Sequence, residues 1–272
     1  MAKEKKGEMT FLQHLEELRW HFIRSFAAVL IAAIAAFIFK DIVFDMIIFG
    51  PRTPDFFTNR MLCKLGKLIN SQRLCINSNA NQLQNIHMTG QFLTHIKISI
   101  IAGIVAVFPY IFYEFWKFVN PALYESEKKI TRGAVFYSSS LFLLGILFGY
   151  YVISPLSVHF LENYRVSDKV INEINLMSYI SIVATIVLAS GVLFELPVVI
   201  YFLSKIGLVT PDFLKKYRKH SIIIILALSA IITPPDVFSQ ILVSFPLIAL
   251  YEISISISRR IYRKQEKENL AG

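Results

Sequence analysis

The sequence predicts an all-α integral membrane protein, on three observations. Hydrophobic residues make up 55% of the 272 positions and charged residues only 17%, with a mean hydropathy of +0.54, whereas soluble domains carry about a quarter charged residues. Only 11 Gly and 10 Pro, beside 23 Phe and 12 Tyr, leave little loop material between apolar stretches. Those stretches recur at the length a helix needs to cross a bilayer, about 20 residues at about 1.5 Å rise. An ordinary soluble enzyme is thereby excluded. The net charge of +9 would raise the question of nucleic acid in a soluble chain. Here basic residues flank the apolar runs, as expected of cytoplasmic flanks that meet anionic lipid, so the expected partner is the bilayer and not nucleic acid.

Six spans are expected. Residues 1–10 are polar and lysine-bearing and are followed by no small-residue cleavage site, so the first span is expected to stay in the mature protein. Ahead of that span, Phe11, Leu15 and Leu18 recur at i, i+4, i+7, an amphipathic face expected to lie along the cytoplasmic interface. The first span covers residues 20–39 and stops at Lys40 and Asp41. A long loop, residues 40–95, separates it from the second span at 96–119. That span holds Pro109 and ends in a cluster of Tyr110, Phe112, Tyr113, Phe115, Trp116 and Phe118, which reads as an interfacial aromatic belt. The third span covers 131–153, the fourth 177–205, the fifth 220–232 and the sixth 237–258, the last two short. The apolar core of the fifth reaches only about 18 Å against a hydrocarbon layer near 30 Å; a recessed helical hairpin or a locally thinned bilayer accommodates it. A basic tail, 259–272, follows a single membrane domain, 1–258.

Most of the 28 Lys and Arg fall before the first span, between the second and third, between the fourth and fifth, and after the sixth. Both termini are therefore expected in the cytoplasm and the 40–95 loop outside. Cys63 and Cys75 share that loop. In an oxidising compartment a disulfide and two unpaired thiols stand about even. His87 and His95 fit no metal-ligand spacing, and neither a metal nor a cofactor is expected.

Certain polar residues are expensive where they sit. Glu195, in Phe194-Glu-Leu-Pro197, lies ten residues before Lys205, about 15 Å from the boundary and near the midplane. Pro197 removes a helical donor there, so a kink is expected. Such an acid is either a protonated packing group or a functional one, and intramembrane acids are functional by default. Asp236 follows Pro234 and Pro235 at the tip of the last hairpin, with Gln240 one turn on; a helix cap is the favoured reading of Asp236. Glu17 and Glu127 stand among basic residues at two cytoplasmic segments. Two carboxylates suit two guanidinium groups, each of which can be held by a bidentate fork, although Glu127 could equally make a surface contact worth little.

In this order, His14-Leu-Glu-Glu17-Leu-Arg19, Pro109, Trp116-Lys-Phe118-Val-Asn-Pro121-Ala-Leu-Tyr124-Glu-Ser-Glu127, Phe194-Glu195-Leu-Pro197, Thr233-Pro-Pro-Asp236-Val-Phe-Ser-Gln240 and the stretch from Pro246 to Glu252 resemble TatC, the receptor subunit of the twin-arginine protein translocase. The resemblance covers nearly the whole chain. It implies a concave six-helix bundle in the bacterial cytoplasmic membrane that binds twin-arginine signal peptides and exports folded proteins using the protonmotive force. It implies hetero-oligomers with several TatC copies and single-span TatA or TatB partners. By the same resemblance Glu17, Glu127, Arg19 and Phe118 form the signal-peptide site, with Glu17 favoured over its neighbour Glu16. Glu195 and Gln240 are intramembrane polar positions for partners, and Pro51, Pro109, Pro121, Pro197 and Asp236 are structural. The 40–95 loop is longer than usual for the family. A solute transporter also suits a kinked helix with a midplane acid, but the paired repeats expected of one are absent. No nucleotide-binding loop or protease motif supports an enzyme.

Overall fold

The computed structural model describes residues 11–68, 75–76, 82–119, 128–170, 172–233 and 237–271. Pro121, Glu127 and Asp236 lie outside them. Helices α1 (Phe11–Ile38), α2 (Phe57–Leu68), α3 (Gly90–Val119), α4 (Lys128–Phe148), α5 (Ser154–Asn163), α6 (Leu176–Phe194), α7 (Leu196–Lys205), α8 (Pro211–Lys216), α9 (Arg218–Ile232) and α10 (Val237–Ala271) carry the fold. Among the described residues no strand forms, and a single parallel bridge joins Gln84 to Asn175. Among the described residues, five helical stretches are long and apolar enough to cross a membrane: Leu15–Ile38, Gly90–Phe118, Gly133–Asn163, Leu176–Lys205 and Ser239–Lys267. The fifth expected span, α9, has 15 residues and falls short of that length.

Three expectations are revised. The amphipathic segment at Phe11 is not a separate interfacial helix: α1 runs unbroken for 28 residues, because no Gly or Pro interrupts it. The 40–95 loop is largely structured, with a π-helical segment Ile42–Ile48, a 3-10 turn Gly50–Arg52, α2, and the first turns of α3. The sixth helix is not short, since its polar tail continues α10 to 35 residues; Gln265 anchors it by donating to the Lys205 carbonyl at 3.0 Å.

Contacts divide the chain into two compact units, one of Met1–Phe39 with Ser99–Ser139, the other of Lys40–Ile98 with Ser140–Gly272. In the first, α1 pairs antiparallel with α3. Gly103 sits against the α1 backbone so closely that a Cβ would lie 2.9 Å from both the Ala33 nitrogen and the Val29 oxygen. Without a hydrophobic drive between helices in lipid, such small-residue contacts and interhelical polar bonds hold spans together. Most of the remaining surface of α1, including Phe22, Phe26 and Ile31, is exposed, as suits a lipid-facing helix.

The second unit holds the core. Ile153, Ile186, Phe194, Ile200, Ile225, Val243, Leu247 and Tyr251 form one buried cluster. On α10, Tyr251 donates its hydroxyl to the Leu214 carbonyl at 2.8 Å, and Ser258 meets Ser204 of α7 at 2.8 Å. Arg218 of α9 forks onto Glu252 of α10, with both bonds at 2.9 Å. Asn175 caps α6 by accepting from the Met177 N–H at 2.8 Å, and Gly207, at φ 78°, supplies the left-handed turn after α7 that other residues adopt only with strain.

Gly145 of α4 faces α6, where an added Cβ would lie 2.6 Å from the Ser190 oxygen and 2.9 Å from the Gly191 Cα. Both are backbone atoms that cannot step aside. Gly145→Ala is expected to destabilise by about 1–3 kcal/mol through overpacking, read as a lowered Tm in detergent. Gly133→Ala, whose Cβ would meet nothing within 4 Å, is the control and is expected to be neutral or stabilising.

Candidate signal-peptide site and intramembrane polar positions

Within the first unit, the facing ends of α1 and α3 carry a charged cluster. On α1, Glu17, His21 and Arg24 recur at i, i+4, i+7; on α3, Tyr110, Glu114 and Phe118 recur at i, i+4, i+8. Each set lies along one helical face. The Glu114 carboxylate is only 4% exposed. It accepts from His21 Nδ1 at 2.5 Å and lies 3.9 Å from an Arg24 guanidinium nitrogen. A buried charge of this kind persists only with such partners.

The Phe118 ring stands edge-on to the His21 ring at 6.2 Å. Glu17 precedes His21 by one turn on the same face of α1. Glu17 is half-buried and makes no ion pair with a described residue, while Arg19 is exposed on the same stretch. Glu127 lies outside the described residues; of the expected site residues, Phe118 meets His21, which stands one turn after Glu17 on α1. The aromatic belt expected at this end of α3 is mixed: Tyr110, Tyr113 and Phe115 are exposed, whereas Trp116 is buried and stacks on Phe112.

In the second unit, Glu195 marks a break. It closes α6 and opens α7, with φ −75° and ψ −6°. Its N–H bonds back to the Val192 carbonyl at 3.1 Å, and its own carbonyl accepts from Val198 and Val199 at 2.9 and 3.0 Å. Pro197, buried in the first turn of α7, lacks the N–H that a continuous helix would need from it, which is why the break falls here. The Glu195 side chain is half-buried. Gln240 is elsewhere in this unit, donating its amide to the Leu226 carbonyl at 3.1 Å and so tying α10 to α9. Pro109 lies inside α3. Pro51 is buried in the 3-10 turn, where its carbonyl accepts from Asn59 Nδ2 at 3.0 Å.

Cys63 of α2 and Cys75 are bonded to each other, with their Cα atoms 4.1 Å apart. No group of three or more metal-ligating side chains gathers among the described residues.

Two features escaped the sequence reading. One is Glu114 with His21 and Arg24. Its signal was available: like Glu195 it is an acid inside an expected span, and it stands one turn from Phe118. The other is a buried pair in the second unit, Arg52 Nε donating to Glu162 Oε1 at 2.7 Å, with the guanidinium carbon 5.3 Å from the centre of the Tyr179 ring. Nothing local announces a contact between residues so far apart in the chain.

Comparison with known proteins agrees with the motif order. The family described as Sec-independent protein translocase protein (TatC) matches residues 13–246. The TatC protein of Blattabacterium sp. subsp. Periplaneta americana is 43% identical over 265 residues, 97% of this chain and 100% of that one. TatCy of Bacillus subtilis is 33% identical over 271 residues, 100% of this chain and 97% of that one. A solved structure described as the twin-arginine translocase receptor TatC superposes with a TM-score of 0.68 at 34% identity, covering 92% of this chain and 99% of that one. These relatives form a family of protein translocases and not of catalytic enzymes, and their names match a multi-span helical membrane protein. The chain belongs to the TatC family of Sec-independent protein translocase proteins.

Proposed function

We propose that this protein is the signal-peptide receptor of a twin-arginine translocase in the bacterial cytoplasmic membrane, with both termini in the cytoplasm. Glu17 and Glu127 take the paired arginines there, Phe118 and Arg19 border them, and single-span TatA- or TatB-type subunits dock on the membrane face through Glu195 and Gln240. The observation that carries the reading is Glu17, a half-buried carboxylate in the second turn of α1, without an ion pair to any described residue, one turn before His21, whose ring meets that of Phe118. An arginine fork fits such a group. Glu195 adds support, because a half-buried acid at a helix break offers a polar partner to a neighbouring span. With no catalytic constellation of its own, the receptor would draw energy from the membrane potential, about 2.3 kcal/mol per charge per 100 mV.

Cells lacking their own TatC, supplied with this chain and a compatible set of partner subunits, are expected to export a folded reporter carrying a twin-arginine signal. Export should stop when the signal's two arginines become lysines. A reporter exported equally with either signal would defeat the reading.

A further inference from the structure

Glu17 has a competitor for its own site. His21 stands one helical turn away on the same face of α1, and Arg24 a turn further, and side chains at i, i+4 on a helix meet readily. Left to itself, the His21 N–H would turn toward Glu17, occupying the carboxylate that a signal-peptide arginine must reach. In the structure it turns the other way. His21 Nδ1 donates to Glu114 across the interface at 2.5 Å, and Arg24 lies 3.9 Å from the same Glu114 oxygen. Glu114, 4% exposed, is too deeply covered to receive a peptide arginine itself.

We infer that Glu114 is a positioning residue of the twin-arginine site: it holds His21 away from Glu17 and leaves the Glu17 carboxylate open to the incoming guanidinium. The inference rests on the receptor reading above. The same bond pins the register of α1 on α3, so two effects of Glu114 must be separated, charge capture and helix packing. Glu114→Gln combined with His21→Leu separates them, because leucine keeps apolar bulk at the interface but has no N–H to offer Glu17.

The test is the affinity of the full chain, purified in detergent, for a synthetic signal peptide with paired arginines and for its paired-lysine counterpart. Glu114→Gln is expected to weaken the arginine peptide about tenfold or more, the loss of one hydrogen bond to a charged group, while the residual affinity for the lysine peptide barely moves. Adding His21→Leu to Glu114→Gln is expected to restore most of the lost affinity, because the competing donor is gone. A packing role gives the opposite pattern, with the double variant as weak as the single one or weaker, and overturns the inference. Parent-like affinity in Glu114→Gln overturns it too. Should that variant fail to accumulate, Glu114→Asp retains the charge but withdraws it by one methylene. A partial loss of affinity is then expected, and none would overturn the inference. Glu17→Ala in the same assay distinguishes the two levels. If it weakens binding while Glu114→Gln does not, only the positioning role falls; if it has no effect, the receptor site itself is misplaced.

Discussion

Glu17→Ala and Glu127→Ala are each expected to weaken binding of a twin-arginine signal peptide by about tenfold to a hundredfold, with the protein still inserted and still folded. The size follows from what is removed. A hydrogen bond to a charged group contributes roughly 1.5–3 kcal/mol, and an arginine fork makes two at once. Glu17 is half-buried, where screening is weaker than in open solvent, so the upper part of that range applies to it. Exposed pairs contribute far less. Stability should change little in Glu17→Ala, because Glu17 makes no ion pair with a described residue whose loss would leave a charge stranded. The measurement is peptide affinity beside thermal unfolding, in parent and variants. Changing the peptide's arginines to lysines should cost the parent protein most of its affinity and cost Glu17→Ala much less, since a lysine offers a point charge in place of a planar fork. Unchanged affinity in both variants would remove these two carboxylates from the site.

The helical plan was legible because its signal is local. Apolar runs bounded by charge placed α6 and α7 at 177–205, where the structure has Leu176–Phe194 and Leu196–Lys205, and Pro197 marked the break to within two residues. α3 begins six residues ahead of its expected start, because Gly90 to His95 are polar enough to look like loop and yet continue the helix. The candidate site was half legible. Glu17 stood out as an acid among bases and Phe118 through its motif. Glu114 was read past, since attention to the aromatics around it hid an acid that the rule applied to Glu195 would have flagged. What sequence could not supply is the partner: His21 lies 93 positions from Glu114, and only the antiparallel packing of α1 on α3 brings them together. The 40–95 segment was illegible for the same reason. Its order comes from bonds to distant elements, such as the Tyr150 hydroxyl to the Ile47 carbonyl at 2.7 Å and the Tyr179 hydroxyl to the Ile48 carbonyl at 2.7 Å.

The pair that anchors this segment should show the largest stability effect in the molecule. Arg52 is 7% exposed and Glu162 8%, and they meet at 2.7 Å with the guanidinium over Tyr179. Removing one partner leaves an uncompensated buried charge, so Arg52→Ala or Glu162→Ala alone is expected to cost about 3–5 kcal/mol. Removing both charges is a different experiment. Arg52→Met with Glu162→Leu fills similar volume without charge, and buried pairs replaced in this way are often neutral or stabilising. Thermal unfolding of the four proteins in detergent therefore has a defined signature: two low values for the single alanine variants, and a double apolar variant close to the parent. The neighbouring bonds sharpen the expectation. Asn59 Nδ2 holds the Pro51 and Thr53 carbonyls at 3.0 and 2.8 Å, and the Tyr179 hydroxyl holds Ile48. The turn at Gly50–Arg52 thus has supports that do not depend on the ion pair, and the double variant should retain it. A double variant as unstable as the single ones would mean that the charge pair itself, and not the filling of its space, fixes this turn against α5.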